Sequence, residues 1–498
     1  MRRLGLLLVL LLCASTATAA TIRGTKKGEL FVGTPSPDKI VAGPGGDRVQ
    51  VAFGGIDRVD CGAGIDIVSA DATDKIASNC EVVSRRLSVD SYQNSDSQHE
   101  TAAEPESFAW GDTVVAAFQI GRRTAGAASN IGTAVSRDGG RTWARALLPG
   151  TTVNASPPGP ELAVSDPSVA YDAVHSVWLV SAVTLEGTQS PHIYISRSTD
   201  GAHWSGPVDA VDGSVLDKEW VTCDNGAASQ FHGRCYLEYT DDDKNITVSQ
   251  FSTDGGLTWS PAVKAGPFLV GTQPVVEPNG MLVVVAGDYG DERALTGAMV
   301  ALRSTDGGAT FTRVTVSDLQ AADVSPMRAI SLPSVEADSS GTIYATWADC
   351  RFRAGCSQND LVLSTSTDGL TWTAPTRLTT GTGAFIPGLA ADPAHPGHLA
   401  VVYAHYYGAC SQSGPCLLGM SLVQSRDAGK SWSAPQRLDA QPLSTNWIPR
   451  SEGGRMVGDY FSTSFAGSRV VPVFTLATSM LNGRFRQAIF AASLRALG

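Results

Sequence analysis

The chain runs to 498 residues, carries a formal net charge of −11, and only 17% of its residues are charged. That balance offers no basic footprint for nucleic acid or for an anionic membrane, so an anionic ligand has to meet a local cluster of arginines. With Gly at 52 positions and Pro at 26, and almost no stretch of helical apolar period, the sequence predicts many short strands joined by tight turns, an all-β fold.

Arg2 and Arg3 lead into an apolar run, residues 4–12, and then into Ala17-Thr18-Ala19-Ala20. This is the layout of a cleavable signal peptide over residues 1–20, and it predicts a secreted protein whose mature chain starts near Thr21. Cys13 follows Leu12, not the small residue that lipid anchoring requires, and is expected to leave with the signal. The eight cysteines that remain fall as close neighbours: Cys61 with Cys80, Cys223 with Cys235, Cys350 with Cys356, and Cys410 with Cys416. An even count suits an oxidising compartment, and neighbour pairing is the simplest connectivity. No later segment reaches the roughly 18 consecutive apolar residues of a membrane span.

Residues 21–85 form a separate acidic module. Aspartates recur at Asp38, Asp47, Asp57, Asp66 and Asp74, each followed by an alternating apolar residue, with Gly43-x-Gly45-x-Asp47 and Gly62-x-Gly64-x-Asp66 as the fullest copies. These copies resemble the nonapeptide repeat of RTX-type parallel β-rolls, in which glycine turns and carboxylates hold Ca²⁺ between coils. The resemblance implies Ca²⁺ ligands at Asp47, Asp57 and Asp66. Phe53 stands where the Asp57 copy should have glycine, so a degenerate roll stapled by a disulfide stands beside the calcium reading. No cofactor is expected for catalysis.

Residues 86–498 are organised by one motif. Ser136-Arg137-Asp138-Gly139-Gly140-Arg141-Thr142-Trp143 returns around Asp200, Asp254, Asp306, Asp368 and Asp427, at intervals of 62, 54, 52, 62 and 59 residues. Each interval is long enough for one four-stranded sheet. The motif predicts a hairpin turn in which the aspartate accepts backbone N–H groups, glycine supplies positive φ, and the aromatic drops into the core of its own sheet. These are Asp boxes, or BNR repeats, and the segment from about Gln98 resembles the sialidase-like β-propeller superfamily. The resemblance implies a propeller whose boxes are scaffold, remote from the ligand. Three strand-like runs follow the last box, and the segment near Arg86 to Tyr92 would complete a seventh blade. Seven blades are preferred over six because closure leaves no unpaired edge.

The loops predicted to meet on one face hold the candidate site. Asp349-Cys350-Arg351-Phe352-Arg353 through Asp360 puts two arginines in a small ring, and guanidinium pairs suit a carboxylate through bidentate bonds. The alternative is that Asp349 and Asp360 pair with those arginines within the loop. Asp217-Lys218-Glu219-Trp220, Asp288 to Arg293, His405-Tyr406-Tyr407, Arg122, Arg123, Arg328, and Arg455 leading to Asp459-Tyr460 complete the candidates. The resemblance implies an arginine triad, an acid/base aspartate and a tyrosine nucleophile. The first blade departs from it, reading His99-Glu100-Thr101-Ala102-Ala103-Glu104-Pro105 without the arginine of the family motif.

On this basis Tyr460, Asp459, Asp217, Glu219 and Asp349 are the candidate catalytic groups, and Arg351, Arg353, Arg328, Arg455 and Asp360 the candidate substrate-binding groups. The expected function is a secreted sialidase-like glycoside hydrolase, of exo-α-sialidase type, acting on an acidic extracellular glycan. Two alternatives are a polysaccharide lyase on uronate-containing chains and a non-catalytic propeller that binds carbohydrate or protein.

Overall fold

The computed structural model describes residues 20–187, 189–289, 295–408, 410 and 415–497. The expected signal peptide, with Cys13, and the stretch from Gly290 to Arg293 in one candidate loop lie outside the described residues. The fold is all-β, with only two short 3₁₀ turns among the described residues.

The chain begins with a β-solenoid of about four coils. Strands Thr21–Arg23, Lys39–Val41, Arg58–Asp60 and Lys75–Ile76 stack in parallel as one sheet; Leu30–Val32, Arg48–Gln50, Ile67–Ala70 and Val82–Arg86 form the other. Alternation puts Phe31, Ile40, Val49, Val59 and Val68 inside, and Cys61–Cys80 ties successive coils. Two aspartate ladders run along the coils. In one, the N–H groups of Ala20, Asp38 and Asp57 donate to the carboxylates of Asp38, Asp57 and Asp74; in the other, those of Glu29 and Asp47 donate to Asp47 and Asp66. Burial pushes Asp57 up to about 6 and Asp74 to about 7.

Among the described residues seven four-stranded antiparallel sheets follow, and their first strands are Ala102–Trp110, Ala163–Asp172, Leu216–Cys223, Val270–Val276, Ser334–Ala337, Ala384–Ala391 and Ser462–Ala466. Each first strand touches the next, and the seventh touches the first, so the order closes on itself. The seventh sheet takes its fourth strand from the solenoid: Val82–Arg86 pairs with Gln487–Ala492, Arg86 facing Phe490. That strand meets the 86–92 segment expected for it only at Arg86, lying otherwise before it, and it belongs to both the solenoid and the ring, so the boundary at residue 85 runs through a strand.

Each Asp box occupies the turn before a fourth strand. Asp138 accepts the N–H groups of Arg141 and Thr142 at 3.0 and 2.9 Å and the Thr142 hydroxyl at 2.7 Å, while Ser136 Oγ accepts the Gly140 N–H at 2.8 Å. The aromatic does not drop into its own sheet alone. Trp143 packs with Val114 and Ala116 of the first sheet and with Val471, Val473 and Ile489 of the seventh. Trp204 likewise packs against Val115 and Val135 of the first sheet. The box is a latch onto the preceding sheet, because a glycine without a Cβ lets the turn approach that neighbour; a Cβ on Gly429 would sit 2.2 Å from Leu363 Cδ2.

All four neighbour disulfides form: Cys61–Cys80, Cys223–Cys235, Cys350–Cys356 and Cys410–Cys416. No helix among the described residues is long and apolar enough to cross a membrane. The four disulfides are consistent with an extracellular protein.

Candidate functional site

The site is set by a defect repeated in the first strands. Pairing between first and second strand slips at one level in five sheets, and there Glu104, Asp166, Lys218, Gly271 and Ile386 take positive φ between 49° and 68°. Such bulges break the alternation and re-aim side chains, and non-glycine residues rarely hold this conformation. Three consecutive sheets thereby contribute Glu104, Asp166 and Lys218 to one hollow of about 230 Å³, which Gln119, Arg122, Asp217, Arg328 and Asp459 also line.

The hydrogen bonds within it are incomplete. Gln119 bridges the groups, donating to Glu104 Oε2 and to Ser165 Oγ and accepting Arg122 Nε at 2.9 Å. Arg328 Nη2 meets Asp459 Oδ2 at 2.7 Å. Ser165 Oγ donates to Asp166 Oδ1 at 3.0 Å. Yet Arg122 Nη1, Lys218 Nζ and Asp459 Oδ1 are buried and make no hydrogen bond among the described residues. Buried groups of this kind are costly without partners, and three of them on one hollow define a place for a polar ligand.

Burial raises Glu104 well above the usual carboxylate range, and Asp166 and Asp459 raise it further against the opposing pull of Arg122 and Lys218. A second hollow of about 310 Å³ adjoins the first, sharing Arg328 and Ile330, and extends past Val324, Met327 and Phe385.

The sequence-derived candidates divide. Asp459, Asp217 and Arg328 line the hollow. Tyr460 does not line it and is reached through Lys218, whose Nζ lies 3.6 Å over its ring, with Trp220 edge-on at 5.3 Å. Its hydroxyl donates to the Pro167 carbonyl at 3.2 Å. Burial first, and then Glu104 and Asp166, raise this phenol well above its ordinary value. Glu219 is fully buried, neither oxygen bonded, and burial raises it well above the usual range.

The Asp349–Asp360 loop is a set of internal ion pairs, the alternative weighed for it. Arg351 grips Asp349 through Nε at 2.9 Å and Nη2 at 2.7 Å, and Arg353 Nε meets Asp360 at 2.8 Å. Neither arginine lines the hollow. Arg455 donates to the Ile448 carbonyl at 2.6 Å and holds its own loop. His405 sits between Ser421 Oγ and the Tyr406 carbonyl.

In the solenoid, Asp57 belongs to one ladder and Asp47 with Asp66 to the other, so the three do not converge on one ion. Each uses one oxygen for a backbone N–H, while Oδ2 of all three is buried without a partner. The orphaned oxygens of Asp47 and Asp66 belong to the same ladder, one coil apart.

Glu104 and Asp166 were not selected as site residues from the sequence, whereas Arg122 and Lys218 stood among the candidate loops without an assigned role. The available signal was an acid directly before proline, Glu104-Pro105 and Asp166-Pro167, inside strands whose neighbours are apolar.

A ring of sheets carrying a charged hollow at one level of its inner strands is the class of molecule that these observations define. Residues 112–337 match the family described as BNR repeat-like domain, from the second strand of the first sheet into the fifth sheet. No curated protein matches. Among solved structures, a protein of unknown function from Dyadobacter fermentans is 17% identical over 69% of this chain and 99% of its own, with a TM-score of 0.42. A Hadza microbial sialidase is 17% identical over 68% and 66%, TM-score 0.43, and an ulvan lyase is 10% identical over 81% and 96%, TM-score 0.44.

Proposed function

We propose that the closed ring is a seven-bladed β-propeller and that the protein is a secreted carbohydrate-active enzyme, a glycoside hydrolase acting on an anionic extracellular glycan. The observation that carries this reading is one hollow in which Glu104, raised well above the usual carboxylate range by burial, stands beside two further carboxyl groups, Asp166 and Asp459, and beside Arg122 Nη1 and Lys218 Nζ, two buried donors without a hydrogen-bond partner among the described residues.

The chemistry follows from those roles. Arg122 Nη1 and Lys218 Nζ bind the carboxylate or sulfate of the glycan. Glu104, whose proton burial holds more tightly than an ordinary carboxyl group holds its own, gives that proton to the leaving glycosidic oxygen. Asp166, facing the same hollow, stabilises the developing oxocarbenium ion and either attacks it or activates water. Asp459, fixed by Arg328, completes the field that raises Glu104. The adjoining hollow past Val324 and Phe385 receives the next sugars. An exo-α-sialidase-type reaction with Tyr460 as nucleophile has less support, because the Tyr460 hydroxyl is engaged by Pro167 and surrounded by acids.

The test is a panel of acidic polysaccharides and sialylated glycans, with new reducing ends and new ultraviolet absorbance followed together. Reducing ends without absorbance, abolished in Glu104→Gln while glycan binding persists, is the expected result. Absorbance from an unsaturated product would instead make the enzyme a lyase. Binding without turnover on every glycan would sink both enzyme readings and leave a carbohydrate-binding propeller.

A further inference from the structure

We propose that Asp392, His395 and His398 form a site for an imidazole-preferring divalent transition metal, Zn²⁺, Ni²⁺ or Cu²⁺, in the turn between the first and second strands of the sixth sheet. Nothing in the glycan-site reading uses these residues, and they lie on a turn at which no other side chain has been assigned a chemical role.

The ligand atoms are already assembled. Asp392 Oδ2 stands 2.9 Å from His395 Nδ1 and 3.8 Å from His398 Nδ1, and all three lie within 4.8 Å of one another. A tetrahedral zinc ion with bonds near 2.1 Å separates its ligand atoms by about 3.4 Å, and the two carboxylate-to-imidazole distances bracket that value. Two imidazoles and a carboxylate favour these metals over Ca²⁺ or Mg²⁺. Asp392 is buried, while His395 is two-thirds exposed, so an ion enters from solvent and keeps an open position.

The turn is also held in shape without the metal. Asp392 Oδ1 accepts the Ala394 N–H, the Asp392 N–H bonds the His398 carbonyl, and the His398 N–H bonds the His395 carbonyl. Gly397 donates to Asp338 of the fifth sheet and accepts from Ala428 of the sixth Asp box. Pro393 and Pro396 each fix one φ. A preassembled ligand set of this kind loses little freedom on binding. The second sheet supplies a built-in comparison: His175 Nδ1 meets Asp172 at 2.6 Å in the corresponding turn, but Val177 faces Asp172 there, where His398 faces Asp392 in the sixth sheet. There the pair serves the turn alone.

Full-length secreted protein, stripped with a chelator and dialysed, is titrated with Zn²⁺, Ni²⁺ and Cu²⁺ at neutral pH, and the Cu²⁺ form is examined by electron paramagnetic resonance. One saturable equivalent is expected, weakened by more than about tenfold in both His395→Gln and His398→Gln, unchanged in His175→Gln, and with hyperfine coupling from two imidazole nitrogens. Calcium should not compete. Absence of saturable binding, equal affinity in the His398→Gln protein, or coupling from fewer than two nitrogens would overturn the proposal. The spectroscopic arm uses wild-type protein, so a variant that fails to fold does not rescue it.

Discussion

Lys218 is the residue on which the hollow turns. Its positive φ aims a chain from the third sheet across the ring, where it lies on the faces of Trp220 and Tyr460, and its ammonium has no hydrogen-bond partner among the described residues. Lys218→Met keeps the aliphatic packing and removes the charge. Affinity for anionic glycans is expected to fall by about 1–3 kcal/mol in calorimetry, a charge-assisted hydrogen bond's worth, with neutral oligosaccharides unaffected. Tyr460→Phe removes only a hydroxyl bonded to the Pro167 carbonyl, so turnover should survive within a few-fold and stability should drop by about 1 kcal/mol. Complete loss of turnover with unchanged glycan affinity would reinstate Tyr460 as the nucleophile. The contrast with Arg351 and Arg353 explains what a sequence conceals at this scale. Their cluster is local and conspicuous, but Asp349 and Asp360 lie within seven residues and satisfy it. Glu104, Asp166 and Asp459 are hundreds of residues apart in part, and meet only because the seventh sheet returns beside the first.

Among elements, the Asp box was legible because its chemistry is contained in eight residues: the serine, aspartate and glycines specify one turn regardless of what surrounds it. Its role as a latch was not, since the partner sheet lies a full repeat away. Gly429, with φ of 82° and Leu363 in contact, tests the latch. Gly429→Ala should destabilise the protein by about 1–3 kcal/mol through overpacking and backbone strain, read as a lowered urea midpoint, whereas the same change at Gly111, where a Cβ meets nothing within 4 Å, should cost less. The solenoid carries a different sensitivity. Asp57 and Asp74 are raised to about 6 and about 7 by burial, above an unfolded value of 3.8. Their contribution is complete below pH 4 and disappears as pH rises through those values. Hydrogen exchange at Val49, Val59 and Val68 in the intact chain should therefore quicken between pH 5 and 8, beyond the intrinsic base-catalysed rise. We propose that Ca²⁺, held by Asp47 and Asp66, reverses this loss; exchange unaffected by calcium or by a chelator would leave the roll a metal-free staple.

Over the whole molecule, the same sign recurs in the ring. Glu277 is raised to about 7 and Glu336 to about 8, in each case chiefly by burial, and Glu106, Glu219 and Glu238 stand well above the usual range for the same reason. Each such carboxyl is protonated in the folded chain at a pH where the unfolded chain has released its proton, so each contributes stability that is complete below about pH 4.5 and is lost as pH climbs through the folded value. The Asp boxes act in the opposite sense and at the other end of the scale. Asp368 is held near about 2 by the N–H of Thr371 first, and Asp427 near about 2 by the hydroxyl of Ser431; their contribution is present above 3.8 and fades only as pH falls toward 2. The two limbs place the stability maximum between about pH 4 and pH 5. Thermal melting followed by circular dichroism, with chelator present to remove any contribution from calcium, should show Tm falling steadily from pH 5 to pH 8. Glu336→Gln, neutral at every pH and nearly the same shape, should flatten the upper limb and raise Tm at pH 8 relative to wild type. A Tm that holds or rises across that interval, or a Glu336→Gln protein with an unchanged pH profile, would mean that solvent hydrates these acids and that burial does not hold their protons.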